Sequence, residues 1–187
     1  MNPHRLLRLV LLVLFGCLFL ASVGSAQTTD TNVSTIRMRD ACDPKTFNAL
    51  FGPGTCLPGL HGTTKYQFFI GELATDRTAG AWRFNPLFKP LNVPAGQLIV
   101  IQNDGGEVHT FTKVAKFGGG FIPDLNLLSG NPVPAPECLL PPSPTNIFAE
   151  AGTTETGPIA GTSDLPVGTT HFECCIHPWM RVNVVVH

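Results

Sequence analysis

Long runs of one charge are missing from this chain, and so is any stripe of basic residues. Twelve Lys and Arg face thirteen Asp and Glu, a formal charge of −1. Neither a nucleic acid nor a membrane surface finds an electrostatic footprint in that balance. Sustained helical periodicity is missing too, so long helices do not organise the fold. No internal repeat is visible. No His-x-His pair occurs, although the chain has six histidines, and methionine is scarce at three, one of them Met1. The first of these two shortages counts against a site with several metal ions. The second counts against a carrier offering many exposed soft ligands.

What is present begins with a leader. Arg5 and Arg8 supply a short positive start, Leu6–Leu20 is almost wholly apolar, and small residues follow at Gly24 and Ala26. Residues 1–26 are expected to be a secretory signal peptide cut after Ala26, which predicts a periplasmic or secreted protein. The run is too short and too early for a membrane anchor, so no stable membrane insertion follows cleavage. No twin-arginine pair precedes it, which favours the general secretion route. Cleavage leaves 161 residues, about one domain with a sizeable core. Losing Arg5 and Arg8 leaves ten basic residues against thirteen acidic ones, a net charge of −3. Cys17 departs with the leader. Cys42, Cys56, Cys138, Cys174 and Cys175 remain, and an odd number in an oxidising compartment reads as two disulfides plus one working thiolate.

Along the mature chain, residues 27–40 read as polar and loose. Asp43 and Pro44 then start a short helix, DPKTFNALF, as N-cap and first helical residue. Gly52-Pro53-Gly54 stops it. From there the segments read as strands: KYQFFI (65–70), LNV (91–93), QLIVIQN (97–103), VHTFTKV (108–114), TTHFECC (169–175) and RVNVVVH (181–187). They are short, rich in β-branched and aromatic residues, and punctuated by Gly, Pro, Asn and Asp. The expected class is all-β, a sandwich or barrel, with Phe68, Phe69, Phe111 and Phe172 in the core. Residues 118–161 carry GGG and six prolines between 132 and 144, and read as a long surface insertion with little regular structure.

The chemistry concentrates in HFECCIHPWM, residues 171–180. In a strand, Phe172, Cys174 and Ile176 share one face, while His171, Glu173 and Cys175 share the other. The apolar set faces the core, so Cys174 is the buried sulfur and Cys175 points out. His177 and Met180 follow at intervals of three, and Pro178 keeps the turn off a helical path. Thiolate, imidazole and thioether around one point form a ligand set for copper, with the thioether weak and axial. A second imidazole is needed, and His109, after the DGG turn, is the candidate.

On these residues the chain resembles the cupredoxins, the small blue copper proteins, and is most similar to the plastocyanin and amicyanin type. The matching stretches are NVPAGQLIVIQND, EVHTF and PVGTTHFECCIHPWMRVNVVV, so the resemblance covers about residues 86–187, insertion included. Residues 27–85 are an N-terminal extension and first strands outside it. The resemblance implies an eight-stranded Greek-key β-sandwich, one type 1 copper held by His109, Cys174, His177 and Met180, no enzymatic activity, and one-electron transfer with a redox partner protein. Where the family often has Asn after the first histidine, this chain has Thr110. About 64 residues separate His109 from Cys174, more than small members use. His177 is expected to be the exposed ligand and electron exit, with Pro178 and Trp179 in a small partner patch or Trp179 as a lid. His61, His171 and His187 carry no such signal.

With Cys174 taken as the copper thiolate, an outward Cys175 needs a partner. Cys42 and Cys56 bracket one short helix and are favoured as a pair, which leaves Cys138 for Cys175. Other readings compete with the electron carrier. A non-redox copper carrier or store would want more methionines. A copper enzyme would want further histidine sites. A structural zinc on Cys174, Cys175 and His177 is awkward, because adjacent strand cysteines point apart.

Overall fold

Buried and half-buried side chains alternate along β4 (Ile99–Asn103) and β9 (Arg181–Val186), and that alternation gives each strand one inward face. The computed structural model describes residues 33–58, 63–85, 89–142, 146–155 and 165–187, with Thr154 and Glu155 as backbone only. The expected signal peptide and His61 lie outside the described residues. A four-stranded sheet has the order β2-β1-β4-β7, from β1 (Ser34–Arg39), β2 (Arg83–Asn85), β4 and β7 (Thr154–Glu155). A five-stranded sheet has the order β3-β9-β8-β5-β6, from β3 (Leu91–Val93), β5 (His109–Val114), β6 (Asn146–Ala149), β8 (Gly168–Glu173) and β9. Both sheets are mixed: β1 runs parallel to β4, with Ile36 opposite Ile101, and β3 runs parallel to β9.

The two inner faces meet in one core. Ile36, Met38 and Ile101 of the first sheet share it with Phe111, Phe172 and Val184 of the second. Phe111 and Phe172 stack with ring centres 4.2 Å apart, and Phe84 reaches across to Phe111 at 5.6 Å. Each such ring contributes about 1.5–3 kcal/mol through burial. The fold is the expected all-β sandwich, with nine strands among the described residues rather than eight.

Several local expectations are corrected. Residues 27–40 do not read as loose over their described part, because β1 lies between β2 and β4. Helix α1 (Pro44–Phe51) forms as expected: the Asp43 side chain accepts the Thr46 N–H at 3.1 Å, Pro44 sits at the first position, and Gly52 ends the helix at φ 102°. KYQFFI, read as a strand, is the start of α2 (Tyr66–Asp76). Tyr66, Phe69, Ile70 and Leu73 turn inward with helical spacing, whereas Phe68, expected in the core, is 59% exposed. The six-residue window is too short for a 3.6-residue period to show, and its aromatic content mimics a strand.

The insertion is also more ordered than expected. It contains α3 (Pro123–Leu128), a 3-10 turn at Pro136–Cys138, β6 and β7. It lies over the outer face of the second sheet, where Val114, Ala135, Cys138 and Cys175 form a separate buried cluster with Phe117 and Phe121 packed against it. The chain can come this close because Gly120 lacks a Cβ: one placed there would collide with the Cys175 carbonyl. Phe121 N–H bonds that same carbonyl at 2.6 Å. No helix among the described residues is long and apolar enough to cross a membrane.

Candidate metal centre

Antiparallel pairing brings β5 and β8 side by side, Thr112 opposite Glu173, so the first residue of β5 lies near the loop that follows β8. His109 opens β5, and Cys174 begins the loop. That loop is closed by two backbone bonds, Cys174 N–H to the Met180 carbonyl at 3.0 Å and Met180 N–H to the His177 carbonyl at 2.9 Å. The tight turn swings His177 back over Cys174. His109 Nδ1 and His177 Nδ1 stand 3.2 Å apart, and each is 3.9 Å from Cys174 Sγ. All three side chains are buried, His109 and Cys174 completely. Met180 is buried beside them in sequence and closes the loop through its backbone.

Two backbone N–H groups point at the thiolate: Thr110 at 3.3 Å and His177 at 3.4 Å. Thr110 also accepts the Cys175 N–H at its hydroxyl, 2.7 Å away. It therefore braces the ligand loop from β5. Burial pushes the Cys174 thiol up, but the two imidazoles outweigh it and bring the thiol well below its usual range.

Asp40 is the residue that local patterns miss. It follows β1, 69 positions from His109, and is fully buried. One carboxylate oxygen meets His109 Nε2 at 2.9 Å and accepts the Glu107 N–H; the other accepts the N–H groups of Gly106 and Cys42. Burial would raise its pKa, yet His109 and the loop N–H groups hold it at about 2. Burial likewise works against a charged His109, but Asp40 and Cys174 push that ring up to about 10. A proton held on Nε2 by Asp40 leaves Nδ1 as the ring atom facing Cys174 and His177. The DGG turn makes this possible, because a Cβ on Gly105 would strike the Asp40 carboxylate and one on Gly106 would strike the Leu57 carbonyl.

Glu107 plays the matching part for His177. Its Oε2 lies 3.7 Å from His177 Nε2 and accepts the Trp82 indole N–H at 2.6 Å. Burial and the nearby Asp40 raise the Glu107 pKa, although His177 and Trp82 pull the other way. Nothing in the spacing of Asp40 or Glu107 in the sequence marks them.

Three expectations about exposure are corrected. His177, read as the exposed ligand, is buried, because α1, α2 and α3 rise around it and Trp179 stands edge-on over its ring at 5.4 Å. Pro178 is buried and cannot serve a partner patch; half-buried Trp179 acts as the lid. Glu173 and Cys175 do point away from the core face but are buried under the insertion. The disulfides are Cys42–Cys56 and Cys138–Cys175, leaving Cys174 as the free thiol among the described residues. Pairing of Cys175 removes the zinc alternative that used it.

The donor set fits one soft ion. Donors bonded at about 2.0–2.3 Å to a common ion lie roughly 3–4 Å from one another, as these three do. A second acidic group, Asp40, Cys42 and Glu107, is no such site, since Cys42 is in a disulfide.

No protein-family model and no curated protein matches the chain. Among solved structures it is similar to a novel purple cupredoxin from Nitrosopumilus maritimus, 16% identical, TM-score 0.40, covering 82% of this chain and 99% of that one. It is also similar to the oxidized form of plastocyanin from Dryopteris crassirhizoma, 17% identical, TM-score 0.27, covering 57% of this chain and 89% of that one. The class is set by the molecule's own features: two mixed sheets packed face to face, with a His–Cys–His cluster beside the β8–β9 loop, make a cupredoxin-like fold.

Proposed function

We propose that this protein is a one-electron carrier working in the periplasm or outside the cell, with one copper ion that would be held by His109, Cys174 and His177 and, more weakly, by the Met180 thioether. The observation that carries this reading is the convergence of two imidazole Nδ1 atoms and one thiolate, all buried, within 3.9 Å of one another. Copper bound there would supply the exchange of a single electron. The chain supplies the rest. Asp40 and Glu107 orient the two rings from behind. The N–H groups of Thr110 and His177 temper the charge on Cys174. The sandwich, braced at Thr110, keeps the donors in place whichever oxidation state is present, which keeps reorganisation small. Another redox protein is the partner in this reading.

The test is the visible absorption spectrum of the purified protein with copper(II). An intense thiolate-to-copper band that disappears in Cys174→Ser is expected. A colourless protein that binds zinc tightly and copper(II) without such a band would refute the proposal.

A further inference from the structure

A cavity of about 650 Å³ opens beside His177. Its walls come from three helices: Phe51 of α1, Tyr66, Phe69 and Ile70 of α2, and Leu125 and Leu128 of α3. His177 and Glu107 also line it. The volume falls within the range of small-molecule sites, about 300–1,000 Å³, and the lining has their usual make-up, rings and aliphatic chains with few polar groups.

The polar groups narrow the ligand further. Asp124 and Glu107 line the cavity, and no Lys or Arg does among the described residues. An anion would face two carboxylates without a cation. A full positive charge would have to leave water for a mostly apolar space. A wholly apolar ligand would waste an acceptor: the contacts to Glu107 from Trp82 and His177 both fall on Oε2, and Oε1 has no partner among the described residues. Aromatic rings already pack edge-on in this wall, Phe51 against Tyr66 at 5.3 Å, and a ligand ring would find the same kind of partner there.

We propose that this cavity binds a small, uncharged aromatic molecule bearing a hydroxyl donor, of the phenol or naphthol class, with its ring among Phe51, Tyr66 and Phe69 and its hydroxyl at Glu107 beside His177. The inference does not rest on the copper assignment. It is tested by titrating 2-naphthol into the purified protein without added metal, following the methyl resonances of Ile70, Leu125 and Leu128 by NMR and the affinity by calorimetry. Saturable shifts of those methyls with one-to-one binding are expected. Ile70→Trp and Leu125→Trp, which fill the cavity from two different helices, should each weaken binding at least tenfold, about 1.4 kcal/mol. Leu139→Trp, exposed and outside the cavity, should leave it unchanged. Naphthalene, lacking the hydroxyl, should bind more weakly than 2-naphthol. Methyl shifts absent at about 1 mM probe, an affinity too weak to matter, would overturn the proposal. So would filling variants that stay within twofold, or tighter binding of naphthalene, 2-naphthoate or 2-naphthylmethylammonium. A protein that binds 2-naphthol but gives no copper band would refute the carrier and leave the cavity assignment standing.

Discussion

Asp40 shows how much one buried carboxylate can decide. It anchors the turn before His109 and turns that ring so that Nδ1 faces the thiolate. Asp40→Asn keeps the size but weakens the hold on the Nε2 proton. Copper affinity measured against a chelator should fall about 10–100-fold, while the thiolate band survives. Glu173 makes a second residue-scale prediction. Burial raises its pKa from the ordinary 4.5 to about 7, against the opposing pull of the Gly118 N–H and Arg181. An acid with a raised folded-state pKa binds its proton more tightly when folded. Stability from this group is therefore fully present below about 4.5 and declines as pH rises through about 7. Urea unfolding between those limits should show that decline in the native chain, and Glu173→Gln should flatten it. His109, Cys174 and His177 were legible as one candidate cluster because two lie three residues apart in a strand-end loop and the third opens a strand. Asp40 and Glu107 were not, since their partners are set by pairing between distant segments.

At the scale of elements, the disulfides act as staples. Cys138–Cys175 spans 37 positions and ties the insertion to the start of the ligand loop. Cys175→Ser should free Cys138, lower stability by about 3–4 kcal/mol if the loop entropy dominates, and leave the copper band in place, because Cys174 points to the opposite face. Loss of the band in that variant would mean that the staple, not Thr110, holds the loop. Helix α1 was legible from its cap and its proline. Helix α2 was not: its inward residues Tyr66, Phe69, Ile70 and Leu73 have helical spacing, but they extend past the aromatic window that suggested a strand. The insertion's order escaped for a related reason. Its prolines and glycines have little propensity of their own, and the segment is ordered by packing against Val114 and Cys175.

For the molecule as a whole, the helices and the sandwich are joined by rings. Phe69 lies 4.5 Å from Trp82 and 5.9 Å from Trp179, so it links α2 both to the core and to the lid over His177. Phe69→Ala should cost about 3–5 kcal/mol of stability. It should also loosen the lid, seen as faster solvent exchange at the Trp179 indole. Wild-type exchange rates in that variant would place the lid's support elsewhere. Copper loading should raise the thermal midpoint by mass action, about 2.7 kcal/mol at a free concentration one hundred times the dissociation constant, and a chelator should reverse it.

The class of fold, the loop that carries Cys174, His177 and Met180, and the upstream His109 could be read along the chain, and Cys42–Cys56 with Cys138–Cys175 was the favoured of three possible pairings. These depend on local period, spacing and parity, which a chain carries along its length. Tertiary packing alone stands Asp40 and Glu107 behind the two imidazoles, covers Cys175 and Glu173, and has three helices bury His177 beside a cavity. Each of those facts arises where segments distant in sequence exclude water from one another, and that contact has no counterpart in the order of the residues.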